Sequence, residues 1–364
     1  MSQTDARKSL VTARRIVVKV GSRTLSSQPD LPERLADEFK LAVDAGRSII
    51  LVSSGATALG LARLRIASRP TDMPTLQAAA SVGQALLMRR YDEAFSRHGL
   101  TPAQVLLTHG DLSNRKRVNN ARAALAALID AGAIPIINEN DVVATEEIRF
   151  SDNDQLAAMV APLVSADALL LLSDVDGVLD ENGLRIPELS DTSAFIDHGS
   201  PDKVGRGGMA SKLDAARKAR RSGAAVVIAD ARASGILTRV LAGEDVGTCI
   251  GAVGERLRAR HHWIAFTLKP RGTILVDQGA ARIVGQGASS LLPVGVLGIR
   301  GDFRRGDSVV VVDTEVREIG RGLTRLSALE VAASAGKKGE ELAAALGGAE
   351  DAVVIHKDDL VLER

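Results

Sequence analysis

The chain has 364 residues, which suggests two domains, and its residues are 45% apolar but only 2% aromatic, so the cores must be aliphatic. Lysine plus arginine (46) nearly balance aspartate plus glutamate (45), which removes a charge-driven case for nucleic acid or membrane as the overall partner. A single cysteine, Cys249, excludes an internal disulfide and a cysteine-cluster metal site, and no apolar stretch reaches the ~18 residues of a membrane span.

The opening "MSQTDARKSLVTARR" lacks the apolar core of a signal peptide, so a cytoplasmic location is expected. From Ile16 to Asp230 short aliphatic runs alternate with longer helical patterns. The runs are "IVVKV" (16–20), "SIILVSS" (48–54), "AQVLLT" (103–108), "AIPIIN" (133–138), "ALLLLSD" (168–174) and "AAVVIAD" (224–230). Between them lie alanine- and leucine-rich segments such as 32–46, 75–98 and 117–132. Continuous apolar runs separated by helices predict an α/β fold: an open, mostly parallel sheet with helices on both faces. Ligands of such sheets bind beyond the carboxyl ends of the strands. Those ends read Gly21-Ser22, Ser53-Ser54-Gly55, Thr108, Asn138 to Asp141, Ser173-Asp174 and Asp230, a small, polar and acidic rim.

Several stretches of that rim have chemistry in them. "VVKVGS" (17–22) sets Lys19 inside a buried strand, which is expensive without an anionic partner, and Gly21 just after it, where a phosphate could approach the backbone. "VSSGA" (52–56) is a second small-residue turn that leads into a helix and suits an anion. "INENDVVATEEIRFSDNDQLA" (137–157) carries six carboxylates and four side-chain amides directly after an apolar run. Its second half predicts a helix start, with Ser151 or Asp152 as N-cap and Asn153 and Asp154 in the first turn. Asp154 can bridge two lysines, and Asp141 can take an ammonium group. "LLLLSDVDGVL" (169–179) shares its strand-then-D-x-D-G pattern with haloacid-dehalogenase-type phosphatases, where Asp174 would be nucleophile and Asp176 general acid; a turn-forming Asp-Gly is the simpler reading. "GRGGMASKL" (205–213) joins a glycine-rich loop to a helix with Lys212 in its first turns. Neither a Walker A loop nor a G-x-G-x-x-G fingerprint occurs.

Near residue 255 the texture becomes basic and irregular. The expected layout is one domain over 1–254, a linker over 255–272 and a small β-rich domain over 273–364, with one helical stretch near Ser327 to Leu346.

"VKVGS", "VSSGA", "INENDVVAT", "DNDQLAA", "LLLLSDVDGV" and "GGMASKL", in this order, resemble the glutamate 5-kinase family of the amino-acid kinase superfamily, from about Ile16 to Gly251. "RGTILVDQGA", "GASSLLPVGV" and "GDFRRGD" resemble the PUA domain that often follows it. The resemblance implies transfer of the ATP γ-phosphoryl group to the side-chain carboxylate of L-glutamate, giving L-glutamyl 5-phosphate, the first step of proline biosynthesis. It makes Lys19, Lys212 and Asp154 catalytic, the aspartate holding both lysines in register. It gives Ser54, Asp141 and Asn153 to glutamate. It gives Lys19, Gly21, Ser22, Gly55, Ser173, Asp174 and the loop Gly205, Arg206, Gly207, Gly208, Met209, Ala210, Ser211 and Lys212 to ATP. Mg²⁺ is expected on the ATP phosphates, with no protein metal site. The resemblance also implies L-proline as feedback inhibitor, glutamate-5-semialdehyde dehydrogenase as functional partner, and a homo-oligomer.

Arg206, Ser211, Ser151 and Arg23 depart from the family's usual residues, and none of these changes removes a catalytic group. One rival is another acyl-phosphate-forming amino-acid kinase, such as one with an N-acylated substrate that has no ammonium for Asp141. The other is an RNA-binding PUA protein. Residues 271–364 hold 12 Lys+Arg against 14 Asp+Glu and one aromatic residue, Phe303, which disfavours RNA.

Overall fold

Eight strands build the sheet of the first unit: β1 (Arg15–Val20), β2 (Ser48–Ser53), β3 (Thr101–Leu107), β4 (Ala133–Glu139), β5 (Ala168–Ser173), β6 (Glu188–Leu189), β7 (Ala225–Asp230) and β8 (Thr248–Ile250). The computed structural model describes residues 5–144, 153–190, 208–252, 259–287, 289–348 and 352–362. The chain divides into two compact units, Met1–Leu257 and Arg258–Arg364.

In the first unit the strand order is β3-β4-β2-β1-β5-β7-β8-β6. Every pairing is parallel except β7 with β8, as the sequence predicts for a mostly parallel sheet. β1 lies between β2 and β5, where the order reverses, so its carboxyl end opens at the switch point of the sheet. Alternation along β1 sends Ile16, Val18 and Val20 to one core, with Phe39, Leu87 and Tyr91. Val17 faces the other core, with Leu156, Val160 and Leu213. Lys19 has the parity of Val17. Its side chain therefore enters the second core, at the end where two helices begin.

Those helices are Asn153–Leu163 and Met209–Arg221. Every residue of the first is buried, including the polar Asn153, Asp154 and Gln155 of its opening turn. On the opposite face the helices Ala56–Arg63 and Met73–Ser96 cross closely. Gly60 and Gly83 permit the crossing: a Cβ on Gly83 would lie 1.7 Å from the carbonyl oxygen of Ala56, and one on Gly60 equally near that of Ala79. At the end of β2 the chain turns sharply into the first of these helices through Gly55, whose φ of 107° suits glycine.

The second unit is a five-stranded sheet of β9 (Gly272–Val276), β10 (Val296–Gly301), β11 (Ser308–Val312), β12 (Glu318–Thr324) and β13 (Ile355–Leu362), in the order β10-β9-β11-β12-β13. β12 escapes sequence reading because Gly320 and Gly322 replace the apolar alternation that marks a strand. The helical stretch expected over 327–346 is two helices, Ala328–Ser334 and Gly339–Ala345. Within the basic segment expected as irregular, Ala259–His262 is helical and Trp263–Thr267 a π-turn; the turn buries Ile264, and its Ala265 carbonyl accepts from Arg321 of β12.

Candidate active site

Lys19, Asp154 and Lys212 meet at the carboxyl end of β1. Lys19 Nζ lies 2.6 Å from Asp154 Oδ1, and Lys212 Nζ donates to Oδ2 at 3.0 Å. The three side chains come from a strand and two helix starts, 135 and 58 residues apart in pairs (154 − 19 and 212 − 154). Asp154 is fully buried and the lysines are 5% and 6% exposed. Burial pushes the Asp154 carboxyl up, but the attraction of Lys19 and Lys212 outweighs it and holds the group below the usual carboxylate range. One carboxylate thus pairs with two buried amines. Gly21 follows on the same strand end, and a Cβ there would stand 3.6 Å from Lys19 Nζ, an ordinary contact distance.

A second network of amides stands beside it. Asn153 Nδ2 donates to the carbonyl of Ser53 at 2.8 Å and to Asn138 Oδ1 at 2.9 Å. Asn138 Oδ1 also accepts from the backbone N–H of Glu139, and Asn138 Nδ2 donates to Gln84 Oε1 at 2.9 Å. The Ser53 hydroxyl and the Tyr91 hydroxyl are 2.8 Å apart, which steadies the tip of β2; burial pushes the Tyr91 phenol up to about 12. Thus the carboxyl ends of β2 and β4 and the start of the Asn153 helix are bound together. Sequence reading places Asn153 here but gives no role to Asn138 or Gln84. Asn138 had a signal, its place in the acidic "NEND" tip. Gln84 had none, being one polar residue within a long helix.

The remaining predicted residues lie around these networks. Ser54 donates its N–H to the carbonyl of Val20, which ties the tips of β1 and β2. Gly55 makes the turn after it. Ser22 opens the short helix Ser22–Ser27 directly after Gly21. Asp141 sits half-buried in the turn after β4. Ser173 and Asp174 end β5, where the Ser173 hydroxyl donates to the Asp174 carboxylate at 3.1 Å. Arg23 stands 3.9 Å from Asp174, bridging the switch point. Burial acts to raise the Asp174 carboxyl, and its backbone and Ser173 hydrogen bonds with the Arg23 and Lys212 charges bring it below the usual range. Gly208 caps the helix Met209–Arg221, whose first turn holds Met209, Ala210, Ser211 and Lys212. Gln155 Nε2 donates to the Ser211 carbonyl at 3.2 Å and Gln155 Oε1 accepts from Lys218 at 2.6 Å, so the two helix starts are locked by more than Asp154. Gly205, Arg206 and Gly207 lie outside the described residues, as do Ser151 and Asp152.

The arrangement can bind anionic oxygens over two lysines and helix N–H groups, beside a buried amide network. Comparison with known proteins agrees in kind. The sequence profile of the amino acid kinase family matches residues 14–230, and that of the PUA domain residues 272–346. Glutamate 5-kinase of Chromohalobacter salexigens is 44% identical, covering 99% of both chains. The Pseudomonas paraeruginosa glutamate 5-kinase is 45% identical over 98% of this chain and all of its own. The glutamate 5-kinase of Methylococcus capsulatus is 43% identical with the same coverage. Among solved structures, N-acetylglutamate synthase from Neisseria gonorrhoeae, complexed with coenzyme A and N-acetyl-glutamate, superimposes with a TM-score of 0.53 at 19% identity. It covers 69% of this chain and 63% of that one, and this likeness is one of fold.

Proposed function

We propose how the site works from one premise: the chain belongs to the amino acid kinase family. Its activity is that of a glutamate 5-kinase, phosphorylating the side-chain carboxylate of L-glutamate at the expense of ATP in the first step of proline biosynthesis. A carboxylate is a nucleophile at neutral pH, so the acceptor needs no general base. Its oxygen forms a bond to the γ-phosphorus while the bond from that phosphorus to the bridging oxygen breaks, and ADP leaves with the electron pair. Charge spreads over the oxygens of the phosphoryl group in flight, and catalysis is positioning plus neutralisation.

Lys19 and Lys212 meet that charge from two sides, and Asp154 holds their amines in register. The observation that carries this reading is the pair of buried lysine amines held at the strand end by one carboxylate, where both can meet phosphoryl oxygens. The backbone N–H groups of Gly21, Ser22 and Gly55 and the helix start at Gly208 to Ser211 cradle the phosphates. Gly205, Arg206 and Gly207, which the family resemblance gives to ATP, complete the nucleotide site. Ser173 and Asp174 hold the nucleotide's far side. Ser54, Asp141 and Asn153 bind glutamate, with Asp141 facing its ammonium. The lysine pair fits a triphosphate. Mg²⁺ would arrive on that triphosphate and neutralise its oxygens, since both Asp154 oxygens already face lysines.

Incubation with ATP, Mg²⁺, hydroxylamine and candidate acids tests the assignment. L-Glutamate should give a hydroxamate, with N-acetyl-L-glutamate a far poorer acceptor; equal turnover of the acetylated acid would overturn the pocket's assignment to a free ammonium. L-Proline carries the ammonium and α-carboxylate of glutamate without its side-chain carboxylate. It inhibits by competing at Ser54, Asp141 and Asn153, and rising glutamate should relieve that inhibition. The enzyme acts as a cytoplasmic homo-oligomer and hands its labile acyl phosphate to glutamate-5-semialdehyde dehydrogenase, which copurification would reveal.

A further inference from the structure

The amide network has a fixed polarity, set by two backbone groups that cannot exchange oxygen for nitrogen. The Glu139 N–H is a donor, so the group facing it on Asn138 must be Oδ1. Asn138 Nδ2 then points the other way and needs an acceptor, which Gln84 Oε1 provides at 2.9 Å. The Ser53 carbonyl is an acceptor, so Asn153 turns its Nδ2 to it. The second Asn153 hydrogen goes to Asn138 Oδ1, and both donors of that amide are spent. Its Oδ1 is the atom left over, with no protein donor among the described residues. Asn138 and Asn153 are 4% and 8% exposed, so neither amide can turn over at will.

An outward acceptor selects its ligand. It repels a carboxylate and welcomes an ammonium, and the Asp141 carboxylate lies two residues beyond Glu139. We propose that Gln84 is a positioning residue for ammonium recognition: through Asn138 it fixes the Asn153 carboxamide with its oxygen toward the substrate's α-ammonium. Gln84 Nε2 is buried and meets no acceptor among the described residues, so its oxygen, not its nitrogen, is the working end. This inference rests on the reading of this pocket as the glutamate site.

The test compares L-glutamate with glutarate, which has both carboxylates and no ammonium. KM and kcat are measured for both acids in the full chain and in Gln84→Leu, Gln84→Ala and Gln84→Glu, each checked for folding by thermal unfolding. Gln84→Leu should raise the KM for glutamate roughly tenfold, the scale of a hydrogen bond to a charged group. kcat, the KM for ATP and the KM for glutarate should stay close to the unsubstituted values, so the preference for glutamate over glutarate narrows. Gln84→Ala should do the same by a smaller side chain. Gln84→Glu keeps an acceptor for Asn138 Nδ2 and should restore most of the preference. An unchanged preference in Gln84→Leu and Gln84→Ala would overturn the proposal, as would equal KM increases for the two acids or failure of Gln84→Glu to rescue. If the unsubstituted enzyme itself treated glutarate like glutamate, the pocket assignment would fall first, and the proposal with it.

Discussion

Lys19 shows how a single residue is decided by its surroundings. A lysine buried among apolar side chains is expensive without an anionic partner, and Asp154 supplies one at 2.6 Å. Lys19→Ala and Lys212→Ala should each lower kcat by roughly 10²-fold or more, the scale for one lost transition-state donor; near-normal turnover in either would break the assigned role. Asp154→Asn leaves two buried lysines facing each other and should destabilise the fold by roughly 3–5 kcal/mol. Its pH dependence follows from the direction of the shift. The folded-state carboxyl titrates below its ordinary value of 3.8, so its contribution is fully present above that value and fades as pH falls through the depressed one. The Tm gap between the unsubstituted protein and Asp154→Asn should therefore stay constant from neutral pH down to about 5 and shrink only in stronger acid. A gap that closed near pH 6 would point to a different group.

At the scale of elements, the site depends on strand tips and helix starts that cannot drift. The pair Ala56–Arg63 and Met73–Ser96 carries Gln84 and Tyr91 to the tips of β4 and β2, and its crossing leaves no room for a side chain at Gly83. Gly83→Ala should therefore cost roughly 1–3 kcal/mol, or a Tm drop of several degrees, because backbone and not a flexible side chain must move. The same shift should raise the KM for glutamate more than that for ATP, since the helix joins the amide network through Gln84. Unchanged Tm in Gly83→Ala would mean that the two helices can separate cheaply.

Across the whole molecule, every residue of the lysine and amide networks belongs to the unit Met1–Leu257. A chain ending at Leu257 should form hydroxamate with KM values close to those of the full chain, and complete loss of activity in a folded truncation would contradict that. The second unit has its own core of Ile274, Phe303, Val309, Val311 and Ile355 and should fold alone. Its 15 basic against 14 acidic residues from 258 to 364 (15 − 14 = +1) give RNA almost no surplus charge, and Phe303 is buried in that core. We propose for it a role in assembly or regulation. Salt-sensitive submicromolar binding of a structured RNA by residues 258–364 would reverse this.

The sheet was legible because parallel strands buried on both faces write unbroken apolar runs, and their polar ends mark the rim. Lys19 was legible because it interrupts such a run, and period-two alternation alone assigns it to the face of Val17. The helical turn after Ala259 and the strand β12 were not legible: one is basic, the other alternates with glycine, and neither carries the apolar period of its element. Sequence also marked Asp154 as a partner for two lysines but could not give their distances, 2.6 Å and 3.0 Å. It gave no hint of Gln84. Residues 84, 138 and 153 are joined by hydrogen bonds between a helix, a strand tip and a helix start, and no local pattern encodes such a joint. The sequence alone determined the main strands and helices of the first sheet and which chemistry lines their ends; the tertiary structure decided which of those ends touch and which way each buried amide faces, because hydrogen-bond polarity is settled only where distant backbone groups converge.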